Sequence, residues 1–237
     1  MRDTITIPLS SKELLIIASD NSGGIGMKAQ DYVQVSYETV AYYSFRVAAM
    51  ECMAAGGVPV SVVLHNFCGD STWSELVIGI QQGLAELNLE EVPITGSTES
   101  NFQLQQSAVG LVVLGKKSFD KKTEKIFTDD LKFAVIGKPL VGNEVIDHSH
   151  QVVPLSIFRE VSKLEEIMIW PVGSKGILTE FNLMFPNKVF TKEILITELD
   201  VLKSAGPATC FIIAFEQNQE ETLKRLTMGY YHSIIVK

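Results

Sequence analysis

Cysteines are few in this chain. The three cysteines, Cys52, Cys68 and Cys210, are odd in number and form no CxxC, which argues against a disulfide framework or a zinc site and for a reducing, cytoplasmic compartment. Positive charge is in deficit. Lys and Arg number 20 against 28 Asp and Glu, a formal net charge of −8, the wrong sign for binding nucleic acid through a broad phosphate-neutralising surface. Long apolar runs are missing as well. The most membrane-like stretch, 47–64, is broken by Glu51, Gly56-Gly57 and Pro59, so no membrane span is expected. MRDTITIPLS has no apolar core behind its single Arg, so no signal peptide is expected. Repeats and low-complexity tracts are absent too. What remains is ordinary globular composition, 46% apolar and 20% charged over 237 residues, enough for one large domain or two small ones. Area scaling at this size buries about 72% of the unfolded surface, so the core needs no staple.

The first half alternates strand and helix. Residues 13–19 (ELLIIAS) are an apolar run of strand length, which Asp20, Asn21, Ser22 and two glycines are expected to end. Ser36 is placed as the N-cap of a helix over about 37–55, closed by Gly56 with Pro59 beyond. Residues 59–66 are β-branched and strand-like. Thr72 and Glu75 have capping-box spacing, and Leu76, Ile80, Leu84 and Leu87 form a helical core stripe. Strands near 92–95 and 107–115 complete a β-α-β-α-β-β half. The charged stretch 116–130 marks a boundary, so domains are expected at 1–118 and 119–237. In the smaller second α/β part, strands are expected at 133–137, 167–172, 210–215 and 233–236. Helices are expected near 156–166, 177–184 and 217–228.

Local structure does not account for Glu51. On its helix it stacks over Val47 and Ala48 and under Ala54 and Ala55. A carboxylate on that small apolar face is costly to desolvate without a cation or donors. It is either a ligand group or a carboxylate paired with Arg46 or turned to water. Asp20 leads the loop SDNSGGIGMK at 19–28. There Gly23, Gly24 and Gly26 would let backbone N–H groups approach an anion, and Lys28 would add a point charge. An Asx-turn in a plain loop explains the same residues, and the loop is neither a Walker P-loop nor a GxGxxG fingerprint. His65, Asn66 and Asp70 lie just past a strand's carboxyl end, where open α/β sheets bind ligands. Asp70 also reads as a helix N-cap, and His65 as a core histidine. Thr95-Gly96-Ser97-Thr98-Glu99 brings hydroxyls and a carboxylate to another strand end, or makes an ordinary polar turn. Lys175, in Ser174-Lys175-Gly176, would reach an anion or only water. His148 and His150 have no evident third ligand, and no serine or cysteine nucleophile constellation is present. Asp20, Glu51, Glu99 and Asp3, with the glycines and Lys28, supply hard oxygen ligands beside a phosphate-cradling backbone. That is what Mg²⁺–nucleotide chemistry requires.

At these residues the chain resembles the superfamily of aminoimidazole ribonucleotide synthetase, thiamine-monophosphate kinase, selenophosphate synthetase and a hydrogenase-maturation factor. Residues 19–28 resemble its strand-ending TDGVGTK-like segment, with an insertion after Asp20. VAAMECMAAGGVP at 47–59 resembles its NxxDLAAMGAxP helix, with Glu51 where the family has a metal-binding Asp and Ala48 where it often has Asn. Residues 94–99 resemble its GGDT or GGET turn, with Ser97 in the usual acidic place and Glu99 as the substitute. Arg2-Asp3-Thr4-Ile5 resembles the end of a GDDAA segment. The resemblance covers residues 1–115. Beyond it, Gly137-Lys138-Pro139-Leu140 resembles the opening of the family's C-terminal domain, and SKGIL at 174–178 its SDGL element with Lys175 for the aspartate. These departures point away from the thiamine-phosphate reaction, and the short chain points away from the selenophosphate and purine enzymes. MRDTITIPLS, ASDNSGGIG, MECMAAG, LHNFCGD and ITGSTES together are most similar to the α-ribazole kinase branch.

The resemblance implies a two-part α/β fold of the α+β type. An N-terminal mixed sheet with helices on one face would pair with that of a second subunit in a homodimer, beside a smaller C-terminal α/β domain. ATP and Mg²⁺ are the implied cofactors, with Asp20 and Glu51, aided by Asp3 and Glu99, as metal ligands. Gly23, Gly24, Gly26, Lys28, Thr98 and Lys175 would meet the nucleotide, Lys28 neutralising charge during catalysis. His65, Asn66 and Phe67 would line the pocket of a small-molecule nucleoside, with Asp70 or Asp31 as proton acceptor. The implied reaction phosphorylates the 5′-hydroxyl of α-ribazole in cobamide nucleotide-loop salvage. Another ATP-dependent enzyme of the superfamily (thiamine-phosphate kinase or phosphoribosylformylglycinamidine cyclo-ligase-like) and a non-catalytic nucleotide-binding module stay open. No nucleic-acid or membrane partner is expected.

Overall fold

A computed structural model of the chain describes residues 4–121 and 123–237. The first of two compact units ends at Lys121. It opens with β1 (Thr4–Pro8), where Thr and Ile alternate with the period of a strand, an element that a search for apolar runs does not anticipate. β1 pairs antiparallel with β2 (Glu13–Gly23), Thr4 opposite Ala18 and Pro8 opposite Leu14. β3 (Ile25–Gly26) and β4 (Val33–Gln34) form a two-residue parallel ladder. α1 (Tyr37–Ala54), β5 (Val58–Asn66), α2 (Trp73–Glu86), β6 (Ile94–Thr98) and β7 (Ala108–Ser118) complete the unit. The sheet runs β1-β2-β7-β5-β6, antiparallel throughout except for parallel β5 and β6. This is the expected mixed sheet with helices on one face.

α1 packs on β2 and β7, with α2 beside it. Ile16, Ala18, Val62, Leu64, Val109, Leu111 and Val113 are buried on the strands, as are Ala41, Phe45, Ala48, Ala49 and Cys52 on α1. Each larger apolar side chain removed from water contributes roughly 1.5–3 kcal/mol. The two helices touch backbone to backbone. A Cβ at Gly79 would stand 2.1 Å from the Glu38 carbonyl oxygen, and one at Gly83 would stand 2.3 Å from the Phe45 ring.

Ser36 caps α1 as expected, its hydroxyl accepting from the Thr39 N–H, and Gly56 beyond the helix takes φ +91°. Two local expectations change. β2 does not stop at Asp20. The equally long β7 carries its ladder on to Gly23, opposite Ala108. The Thr72–Glu75 capping box does not form, and Asp70 makes no capping bond. A 3₁₀ turn, Asp70–Thr72, leads into α2, and the Thr72 hydroxyl turns back to the Gly69 carbonyl at 2.8 Å.

The second unit comprises β8 (Lys132–Ile136), α3 (Glu144–Asp147), α4 (Leu155–Ser162), β9 (Met168–Pro171), α5 (Gly176–Met184), β10 (Leu195–Ile196), β11 (Phe211–Phe215), α6 (Glu220–Thr227) and β12 (Tyr231–Val236). Its sheet, β10-β12-β8-β11-β9, is wholly antiparallel. β8 and β11 are buried along nearly their whole length, hence their unbroken apolar sequence. Phe127, Phe133, Phe181, Phe185 and Phe190 pack as one aromatic cluster, with ring centroids 4.7 to 6.4 Å apart. α4 stops at Ser162 rather than near 166, and Glu166 just beyond sits at φ +61°. The short α3 and β10 carry too few residues to register as periodicity. Among the described residues no helix is long and apolar enough to cross a membrane.

Candidate functional site

Strand direction gathers the candidate segments of the first unit at one end of its sheet. β2, β5 and β6 run toward that end and β7 starts from it: Gly23 lies opposite Ala108, and Asn66 opposite both Val109 and Thr98. The connections after β2, β5 and β6 therefore meet there.

Lys28 holds those loops together. Its ammonium donates to the carbonyls of Leu104 (2.9 Å), Phe67 (3.3 Å) and Gln106 (3.4 Å), so its charge is directed at the protein's own backbone. Asp31 is buried under the same loop. Its Oδ1 accepts from the Ser107 N–H (2.7 Å), and its Oδ2 from the Ser107 hydroxyl (2.6 Å) and the Lys28 N–H (2.9 Å). The Tyr37 hydroxyl meets that of Ser107 at 3.1 Å. Burial works to raise the Asp31 carboxyl, but the bonds from Ser107 and Lys28 and the Lys28 charge outweigh it and hold the group below its ordinary range. Burial first, with the Asp31 charge adding to it, pushes up the neighbouring Tyr37 phenol and Cys68 thiol.

The glycines divide by environment. Gly24 (φ +70°) donates its N–H to the Ser107 carbonyl at 2.8 Å. Gly26 lies against Ser107 so closely that a Cβ would stand 2.5 Å from its hydroxyl oxygen. Gly23 faces open space, with nothing within 4 Å of an added Cβ.

Asn66 is buried and fully engaged. Its Oδ1 accepts from the Cys68 N–H (2.8 Å) and the Thr72 hydroxyl (3.3 Å), while Nδ2 donates to the Gly69 carbonyl (2.9 Å) and Thr98 Oγ1 (3.2 Å). It ties β5 to β6. His65, opposite Gly110 and Ser97, is exposed, as are Phe67 and Asp70. Glu99 caps its own loop through the N–H groups of Asn101 (2.7 Å) and Phe102 (3.2 Å), which hold its carboxyl below the usual range. In the second unit, Lys175 is exposed at the start of α5, where Gly176 (φ +78°) lies against the backbone of Leu202 and Lys203.

The carboxylates expected to hold Mg²⁺ lie apart. Asp20 is half-buried on the helix side of β2, in line with Ile16 and Ala18. Glu51 sits in the last turn of α1 beside Cys52, and a Cβ on Gly115 would stand 2.3 Å from the Cys52 Sγ. Gly115 pairs with Ile16, so that turn lies four residues behind Asp20 along β2, roughly 13 Å. Among the described residues no three His, Cys, Asp or Glu side chains converge as a metal cage. Asp3 lies outside the described residues. The described donors thus do not fit a dedicated all-protein Mg²⁺ site.

A pH dependence follows from Asp31. Its carboxyl is less basic folded than at its ordinary value of 3.8, so its contribution is complete above that value and lost as pH falls through the lowered one. Acid titration of the melting temperature is expected to fall more steeply below pH 3.8 for the parent chain than for Asp31→Asn. Parallel titrations would contradict this account of the carboxylate.

No protein-family model and no curated protein matches the chain. Its structure does have counterparts. Thermotoga maritima PurL complexed with ATP superposes with a TM-score of 0.64 at 11% identity, over 98% of this chain and 42% of that one. Phosphoribosylformylglycinamidine synthase II from the same organism gives 0.62 at 10%, over 100% and 43%. E. coli HypE, a hydrogenase maturation protein, gives 0.60 at 10%, over 93% and 80%. The chain has the aminoimidazole ribonucleotide synthetase-like fold. It spans 42% of the PurL chain's length, and identity this low carries the fold alone, so residue roles must be argued from the site. Within that fold, Ser107 and Tyr37 are structural centres that sequence reasoning does not find. Asp31 and Ser107 are 76 residues apart, and no local pattern links them.

Proposed function

We propose that the chain is an ATP-dependent enzyme, specifically a kinase that converts α-ribazole to α-ribazole 5′-phosphate in cobamide nucleotide-loop salvage. The observation that carries this reading is the meeting, at one sheet end, of the segments SDNSGGIGMK, LHNFCGD and ITGSTES, which resemble the superfamily's motifs. PurL of like fold has been complexed with ATP, ADP and AMPPCP, which makes the nucleotide the first ligand to test.

In this reading the loop of Gly23, Gly24 and Gly26 lies beside the phosphates, with Thr98 as a further nucleotide contact. The nucleoside lies against the exposed His65 and Phe67. Mg²⁺ would arrive on the nucleotide, which then needs only one or two protein carboxylates. Asp20 is the first candidate, with Glu51, Asp3 and Glu99 as alternatives, and the ion would supply neutralisation of phosphate charge. Phosphoryl transfer is mostly positioning and charge stabilisation. The 5′-oxygen bonds to the γ-phosphorus, the bond from phosphorus to the β–γ bridging oxygen breaks, and ADP leaves. The hydroxyl proton passes to a carboxylate. Asp70, exposed and making no capping bond, suits that task better than Asp31, whose two oxygens are both occupied.

A homodimer belongs to the same proposal. On the sheet face away from the helices, Ile5 (63% exposed) and Ile7 (41% exposed) lie opposite Ile17 and Leu15, with Leu114 and Val112 alongside. An apolar face of this kind is a liability for a lone subunit. The three cysteines are not disulfide-bonded, which suits the cytoplasm.

The test is incubation with ATP, Mg²⁺ and a panel of acceptors including α-ribazole, read by mass spectrometry. ADP and a phosphate adduct on α-ribazole are expected. Turnover only on another acceptor would assign a different reaction, and Mg·ATP binding without any turnover would make the chain a nucleotide-binding module. Failure to bind Mg·ATP would overturn the reading.

A further inference from the structure

We infer that Asp31 is a positioning residue that, with Ser107 and Tyr37, latches the glycine loop onto the start of β7 in the shape that receives a nucleotide's phosphates. The latch itself rests on distances within the chain. Its link to a nucleotide rests on the proposed function above.

The loop between β2 and α1 has little apolar anchorage. Met27 is 62% and Tyr32 86% exposed, and the β3–β4 ladder spans two residues per strand. Segments with few buried apolar contacts open most readily, so polar ties decide this loop's position. Gln106 Nε2 reaches the Gln30 carbonyl at 2.7 Å and Gln34 Nε2 the Lys28 carbonyl at 3.0 Å, both at exposed positions. The buried tie is Asp31.

Every hydrogen-bond partner of the Asp31 carboxylate is a donor: the Lys28 N–H, the Ser107 N–H and the Ser107 hydroxyl. Because that hydroxyl donates to the carboxylate, it accepts from Tyr37, which fixes the order Tyr37 to Ser107 to Asp31. Hydrogen bonds to an ionised acceptor are roughly twice as strong as neutral ones. An Asn at this position would turn an NH₂ group against at least one donor. The network therefore joins three elements, the glycine loop, the first residue of α1 and the residue before β7. Gly26 completes the fit, since its missing side chain leaves room for Ser107.

The test uses the full chain with Asp31→Asn, Ser107→Ala and Tyr37→Phe. Amide hydrogen exchange over residues 24–34, calorimetric Mg·ATP affinity and turnover are measured for each. Asp31→Asn is expected to speed exchange across the loop at least tenfold and to weaken Mg·ATP binding by a similar factor. Ser107→Ala should act in the same direction, and Tyr37→Phe least. Parent-like exchange and affinity in Asp31→Asn would overturn the latch. So would a loss of turnover alone, with exchange and affinity unchanged, which would mark Asp31 as the proton acceptor. A lowered melting temperature with unchanged affinity would reduce the network to a purely structural tie and overturn the positioning role. If Asp31→Asn does not fold, Ser107→Ala and Tyr37→Phe give the same readouts. If the parent chain does not bind Mg·ATP, the proposed function fails, and exchange alone judges the latch.

Discussion

Asp20→Asn is expected to lower ATP-dependent phosphoryl transfer by about 100- to 1,000-fold while leaving the melting temperature nearly unchanged. The side chain is half-buried on the helix side of β2, three residues before the strand ends at the loop junction. Asparagine keeps its shape and volume and removes its charge, so the fold is retained while, on the proposed reading, the electrostatic support for phosphate-bound Mg²⁺ would be lost. Single-turnover ADP formation with thermal melting of the same preparation measures both. Undiminished turnover would remove Asp20 from the site. Glu51→Gln belongs in the same experiment, because its helical turn lies roughly 13 Å back along β2. An equal loss would make both carboxylates necessary for turnover, and a loss confined to Asp20→Asn would leave Glu51 outside the site.

Gly79→Ala is expected to destabilise the first unit by about 3 kcal/mol. Propensity alone predicts the opposite sign, since alanine improves on glycine in a helix by about 1 kcal/mol. The packing overrides propensity here. The new Cβ would meet the Glu38 carbonyl oxygen at 2.1 Å, the Glu38 carbonyl carbon at 2.8 Å and the Tyr42 nitrogen at 2.9 Å. All three are backbone atoms, so no rotamer change relieves the contact and α1 and α2 must separate. Denaturant unfolding decides the sign, and a neutral or stabilised variant would mean that the helices do not approach as described.

The elements most legible in the sequence are those with their own periodicity or cap. α1 follows from Ser36 and Gly56, α2 from its leucine and isoleucine stripe, and β5 and β7 from β-branched runs. What stays hidden is set by partners far along the chain. β2 continues through Asp20 to Gly23 because β7 extends it, which no residue within 13–23 reveals. The candidate segments are also legible, but their side-chain directions are not. A lysine in a glycine loop reads the same whether it faces a phosphate or, as Lys28 does, three carbonyls. An asparagine at a strand end reads the same whether it meets a ligand or, as Asn66 does, a neighbouring strand. An invisible partner such as Ser107 separates a general base from a structural tie at Asp31.

β8 stands between β11 and β12 in the second sheet, and both neighbours lie near the far end of the chain. During synthesis on the ribosome, Phe133–Ile136 therefore emerge long before either strand that will cover them. Such distant pairing slows assembly and leaves a sticky apolar segment waiting. Nascent chains that stop short of β11 leave both edges of β8 open and are expected to be the species of this protein most in need of a chaperone.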